Sequence, residues 1–123
     1  MEFSQPKGIY QQIADQIRDR ILASEWRAGE RIPSVRELAT DIGVNPNTVN
    51  KSYQTLLDRE IIENQRGIGY FVALDARQRI LDELKAKFVR DELPRLFKTM
   101  SVLGMTLDDL AAHLPKTDGA KTA

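Results

Sequence analysis

The sequence predicts a mainly α-helical chain with one small β element, and three observations predict it. Two helix starts, at Ser34 and Asn45, lie close together with a single glycine, Gly43, between the helices they open. A β-prone stretch with a glycine-rich turn, Ile61 to Ala73, follows directly behind them. Helical amphipathic patterns flank both, from Ile9 on one side and beyond Leu74 on the other.

In chain order, Met1 to Lys7 is polar and is expected to be loose. Ile9, Ile13, Ile17 and Ile21 recur every fourth position, widened by Tyr10, Ala14 and Leu22, which is the stripe of an amphipathic helix ending near Ser24. Trp26 is read as a packing residue lidding that helix. A turn through Arg27 to Glu30 leads to Arg31 and Ile32, a candidate short strand completing a small sheet.

Ser34 with Glu37 three residues on makes a capping box, because the hydroxyl and the carboxylate each take up an amide that the first turn leaves free. Val35, Leu38, Ala39 and Ile42 give that helix its apolar stripe. Gly43 fits a helix end that needs positive φ, and Asn45-Pro46 supplies an N-cap and a first helical residue for the next helix. That helix buries Val49, Tyr53, Leu56 and Leu57. Helix, tight glycine turn and helix form a helix-turn-helix, whose second member can lie in a DNA major groove.

At about 100° per residue, Asn47, Lys51 and Gln54 face away from the apolar stripe, with Thr48 and Asn50 on its flanks. Amides, a hydroxyl and a cation meet base edges and phosphates without repulsion. The first acid on this face is Asp58, in the last turn. Ile61 and Ile62, the turn Gln65 to Gly69, and Tyr70 to Ala73 then read as two strands of a wing, with Arg66 at its tip.

Beyond Leu74, Ile80, Leu81, Leu84, Phe88 and Val89 mark a helix with a wide apolar face. Leu93, Leu96, Phe97, Met100 and Leu103 continue the spacing in a changed phase, so a bend is expected between Asp91 and Pro94. Thr106 opens a short last helix carrying Leu107 and Leu110, and Pro115 stops it; residues 115–123 are expected to form a disordered tail. Leaving this much apolar surface in water is costly, since each such side chain gains roughly 1.5–3 kcal/mol on burial. Pairing with a second copy through Leu84, Phe88, Leu96, Phe97, Met100, Leu103, Leu107 and Leu110 is the economical solution.

The bounds agree. A chain of 123 residues, 41% hydrophobic, suffices for one compact domain and an appendage. With 18 basic and 18 acidic residues the net charge is zero, so any affinity for a polyanion must come from charges grouped on one face. The absence of cysteine excludes a disulfide framework, a thiolate metal site and a cysteine nucleophile. There is neither a leader-like N-terminus nor an apolar run of about 18 residues, so a cytoplasmic protein without membrane contact is expected. His113 has no nucleophile around it, and Asp108-Asp109 suits a helix N-terminus without any metal. No catalytic site, metal or cofactor is predicted.

The segments Ile9-Tyr10-Gln11-Gln12-Ile13, Gly29 to Ala39 (G-E-R-I-P-S-V-R-E-L-A), Val44 to Val49 (V-N-P-N-T-V) and Gly67 to Val72 (G-I-G-Y-F-V) resemble the winged helix-turn-helix domain of the GntR family of bacterial transcriptional regulators. The short helical C-terminal region resembles that of the family's YtrA-like branch. The resemblance implies a DNA-binding domain over 1–75, a two-helix dimerisation region over 76–114, and DNA contacts by Arg36, Asn45, Asn47, Thr48, Asn50, Arg66 and Gly67, to which the exposed face of the helix adds Lys51. It implies a homodimeric regulator, most simply a repressor, on an inverted-repeat operator. Pro46 and Asn50 stand where relatives often carry arginine or another polar donor. The residues specify no effector ligand. Zero net charge keeps a winged-helix protein-interaction module open as the alternative.

Overall fold

The computed structural model describes residues 8–115, so the expectations for the first seven residues and for 116–123 of the tail lie outside the described residues. The elements are α1 (Ile9–Leu22), β1 (Arg31–Ile32), α2 (Val35–Ile42), α3 (Pro46–Asp58), β2 (Ile62–Gln65), β3 (Gly69–Val72), α4 (Ala76–Lys87), α5 (Leu93–Leu103) and α6 (Leu107–Ala111). A π-helical turn, Phe88–Glu92, joins α4 to α5. The chain forms two compact units, the first ending at Glu83 and the second beginning at Leu84.

In the first unit α3 packs on both α1 and α2. The core is built from Ile13, Ile17 and Ile21 of α1, Leu38 of α2, Val49, Tyr53 and Leu56 of α3, and Ile61, Ile62 and Val72. The stripes read from the sequence supply it, except at their ends: Ile9 is half exposed, Ile42 lies at the surface and Leu57 is half-buried rather than buried, because terminal turns have neighbours on one side only. α1 stops at Leu22, just short of Ser24, whose left-handed backbone (φ 63°) ends the helix with the Glu25 amide donating to the Arg20 carbonyl at 2.9 Å. Trp26 is half-buried, with the Arg20 guanidinium over its ring.

Arg31 and Ile32 do form a strand. The sheet runs β1-β3-β2, all antiparallel, with Arg31 opposite Phe71 and Ile32 opposite Tyr70, and with Ile62 opposite Val72. The Ile68 amide donates to the Gln65 carbonyl at 2.8 Å to close the wing turn. Ala76 and Ile80 are fully buried, so the first turns of α4 belong to the first unit, which extends beyond residue 75. Arg59 at the end of α3 fixes this stretch through a forked contact to Glu83 at 2.7–3.3 Å.

In the second unit the irregularity expected between Asp91 and Pro94 begins earlier, at Phe88. Pro94 has no amide for the Arg90 carbonyl, and its ring crowds that oxygen. The backbone widens one turn ahead, and the Leu93 amide donates to Phe88, five residues back. α5 ends at Gly104, and Thr106 caps α6 in a reciprocal pair with Asp109 at 3.1 and 2.9 Å. Beyond residue 75 the helical run from Ala76 to Leu103 is unbroken, with the π turn inside it, and α6 follows. No helix among the described residues is long and apolar enough to cross a membrane.

Candidate nucleic-acid interface

The geometry of α3 begins at its cap. Asn45 Oδ1 accepts the Asn47 amide at 2.7 Å, and Pro46 takes the first helical position, where a missing amide costs nothing. The cap commits the Asn45 oxygen and leaves its NH2 as the group able to meet a ligand. Before it, Gly43 (φ 71°, ψ 39°) ends α2 in the left-handed conformation, its amide donating to Ala39 at 2.9 Å. At the other end of α2 the predicted capping box is present, with the Glu37 amide donating to Ser34 Oγ at 3.1 Å and the Ser34 amide to Glu37 Oε1 at 2.8 Å. The bond from the Ser34 amide, helped by the nearby Ser34 hydroxyl and then by the charge of Arg31, holds the Glu37 carboxyl below its ordinary pKa.

Two contacts of α3 set the orientation of its outer face. The fully buried Tyr53 hydroxyl donates to the Pro33 carbonyl at 2.6 Å, and its ring meets Tyr70 edge-on at 4.9 Å. Burial, then the neighbouring Tyr70 and Glu37, push this phenol far above its usual range, so it stays a donor. One residue earlier, the buried Ser52 hydroxyl lies 2.7 Å from the Tyr10 carbonyl and 3.2 Å from that of Thr48, tying α3 to the first turn of α1. The Lys51 ammonium rests over the Tyr10 ring, 4.6 Å from its centroid, a contact worth about 0.5–1 kcal/mol at an exposed site.

With that face buried, Asn47, Asn50, Lys51 and Gln54 are exposed and Thr48 is half-buried at the flank, as the helical phase requires. Arg36 is exposed on α2, and Arg66 and Gly67 are exposed at the wing tip, where Gly67 takes a positive φ. Among the described residues, Arg36, Lys51 and Arg66 have no carboxylate within 4.0 Å, whereas Arg18, Arg59, Arg79, Lys87 and Arg90 are all ion-paired. Arg36 shares an open concavity of about 560 Å³ with Pro33, Glu37, Thr40 and Asp41. The Glu37 carboxylate there is turned to its own helix end. No group of three or more metal-ligating side chains occurs among the described residues.

Sequence reasoning missed Ser52 and the role of Tyr10. One signal was available, since Ser52 is a small polar residue beside the apolar stripe of Val49, Tyr53 and Leu56. The Tyr10–Lys51 contact joins elements far apart in the chain and had no local signature.

A capped helix across a glycine turn from α2, backed by a hairpin wing, defines a winged helix-turn-helix DNA-binding protein. The chain belongs to the gntR family of bacterial regulatory proteins, whose family model matches residues 9–72. It is 42% identical over 109 residues to the uncharacterized HTH-type transcriptional regulator YhcF of Bacillus subtilis, covering 89% of this chain and 88% of that protein. Identity to the HTH-type transcriptional repressor YtrA of the same organism is 37% over 102 residues, 83% of this chain and 78% of YtrA. A crystal structure of a GntR-family regulator from Bacteroides thetaiotaomicron superposes with a TM-score of 0.76 at 41% identity, covering 85% of this chain and 91% of that one. The molecule is a DNA-binding transcriptional regulator rather than an enzyme.

Proposed function

We propose that the protein represses transcription in the cytoplasm by binding an inverted-repeat operator as a homodimer. The observation that carries this reading is the acid-free start of α3, exposed beside cations that no carboxylate of the described residues neutralises. Arg36, Lys51 and Arg66 meet phosphates or guanine edges. Asn47, Thr48, Asn50 and the Asn45 amide group supply hydrogen bonds to bases, and Gly67 lets the wing backbone approach the duplex. Repression is supported by the similarity to YtrA, named as a repressor.

Dimerisation is supported by the second unit. Phe88, Phe97, Leu103 and Leu107 are each at least half exposed, and Leu84, Leu96 and Leu110 are half-buried. Met100, only 6% exposed, lies beneath this surface and contributes to it from below. It lines, with Phe97, Ser101, Met105 and Leu107, an open hollow of about 370 Å³ suited to side chains of a second copy. A two-fold protein reads a two-fold site, with half-sites about one helical turn apart.

Sedimentation of the chain alone and with a selected operator duplex tests the reading. The expected result is a dimer in both, with two chains per duplex. A monomer, or one chain per duplex, contradicts it.

A further inference from the structure

Arg31 has no assigned role, and the elements on either side of it are the two that carry Arg36 and Arg66. It opens β1, opposite Phe71 of β3, and its guanidinium lies against Gly69 at the root of the wing. A Cβ placed on Gly69 would come within 2.8 Å of Arg31 Nε and 3.4 Å of Cζ and Nη2. Gly69 (φ 146°) thus has a backbone only glycine adopts readily, and its missing side chain leaves the space that the guanidinium occupies. The charge of Arg31 also reaches Glu37 in the first turn of α2, adding to the hydrogen bonds of Ser34 in favouring the ionised carboxyl. Since β1 leads directly into α2 and pairs with β3, Arg31 sits between the start of α2 and the wing. The side chain is exposed, and among the described residues it has neither a hydrogen bond nor a carboxylate within 4.0 Å.

We propose that Arg31 is a further DNA contact, gripping the phosphate backbone where it passes between the segment met by the start of α2 and the segment met by the wing. This rests on the DNA-facing placement of α2, α3 and the wing given above. The chemistry favours phosphate over bases. The guanidinium is laid along a strand backbone rather than projected from a helix into a groove, and a planar fork of donors suits phosphate oxygens. A phosphate contact positions the protein without reading sequence. Arg31 thus adds to affinity and registers the wing, and leaves base preference to α3.

The test is a titration of the full chain and its Arg31→Ala and Arg31→Lys variants against a selected operator duplex and an unrelated duplex, over a series of salt concentrations, with thermal melts alongside. Each phosphate contact contributes about 0.9 to the slope of log affinity against log salt. With two chains per operator, Arg31→Ala is expected to lower that slope by about 1.8. It should weaken binding by about tenfold or more on both duplexes alike, with an unchanged melting temperature. Arg31→Lys, which keeps the charge, should recover most of the slope. A parent that binds steeply while Arg31→Ala keeps the parental affinity and slope overturns the proposal alone. So does an affinity loss with unchanged slope and a lowered melting temperature, which would make Arg31 a brace for the wing. A parent that retains neither duplex would overturn the interface reading itself, and this contact with it.

Discussion

Tyr53→Phe isolates one hydrogen bond on which the placement of α3 depends. The phenylalanine keeps the ring, and with it the edge-on contact to Tyr70 at 4.9 Å and 83°. What disappears is the 2.6 Å bond from the hydroxyl to the Pro33 carbonyl, at a side chain with no solvent exposure. No other hydrogen bond to that carbonyl exists among the described residues, so the variant leaves an acceptor unsatisfied under the start of α2. Removing one partner of a pair whose donor is fully buried and whose acceptor is half-buried costs about 1–3 kcal/mol. In a unit of this size each kcal/mol moves the melting temperature by roughly 4–8 °C. A cost near 2 kcal/mol therefore predicts a fall of about 8–16 °C, read by circular dichroism at matched protein concentration, because a dimer's melting point depends on concentration. A variant melting within a degree or two of the parent would refute the reasoning and mean that water satisfies Pro33 as well as Tyr53 does.

Other expectations follow from the same geometry. Arg36→Ala should weaken operator binding at least tenfold in a gel-shift titration at fixed salt without altering the sedimentation coefficient, a single bidentate base contact being worth about 1–3 kcal/mol. Gly43→Ala, forced to hold φ 71°, should cost about 1–2 kcal/mol in denaturant unfolding, because the added Cβ crowds the following carbonyl while nothing else lies within 4 Å of it. Phe97→Asp with Leu103→Asp should give a monomer by sedimentation and lose affinity for a two-half-site duplex while the single half-site is bound as before. The Glu37 carboxyl is depressed on folding, so its ionised form stabilises the protein fully above the ordinary glutamate value of 4.5 and that stabilisation is lost as the pH falls through the depressed one. Glu37→Gln should therefore melt below the parent at neutral pH and converge with it in acid; a constant gap across that range would contradict the linkage.

The first unit was legible because its instructions are local. Ser34 with Glu37, Gly43 and Asn45-Pro46 fix where α2 and α3 begin and end by satisfying backbone groups within a few residues. Once those ends are set, helical phase alone decides that Asn47 and Lys51 face outward and Val49 and Tyr53 inward. What the pattern could not carry is interaction across long stretches of chain, such as Ser52 with Tyr10, Tyr53 with Pro33, or Arg31 against Gly69. The second unit was harder for another reason. Pro94 announces a disturbance, but whether a helix answers by bending, breaking or widening into a π turn depends on neighbours that periodicity does not name. Met100 shared the spacing of its exposed companions and is buried all the same.

Selection of bound sequences from a random duplex pool by the purified chain bears on the central claim most directly. The expected result is enrichment of a two-fold symmetric site whose half-sites lie about one helical turn apart, with preference at half-site positions relaxed when Asn47 or Asn50 is replaced by alanine. A pool that yields no common sequence, or an asymmetric one indifferent to those two residues, would contradict it.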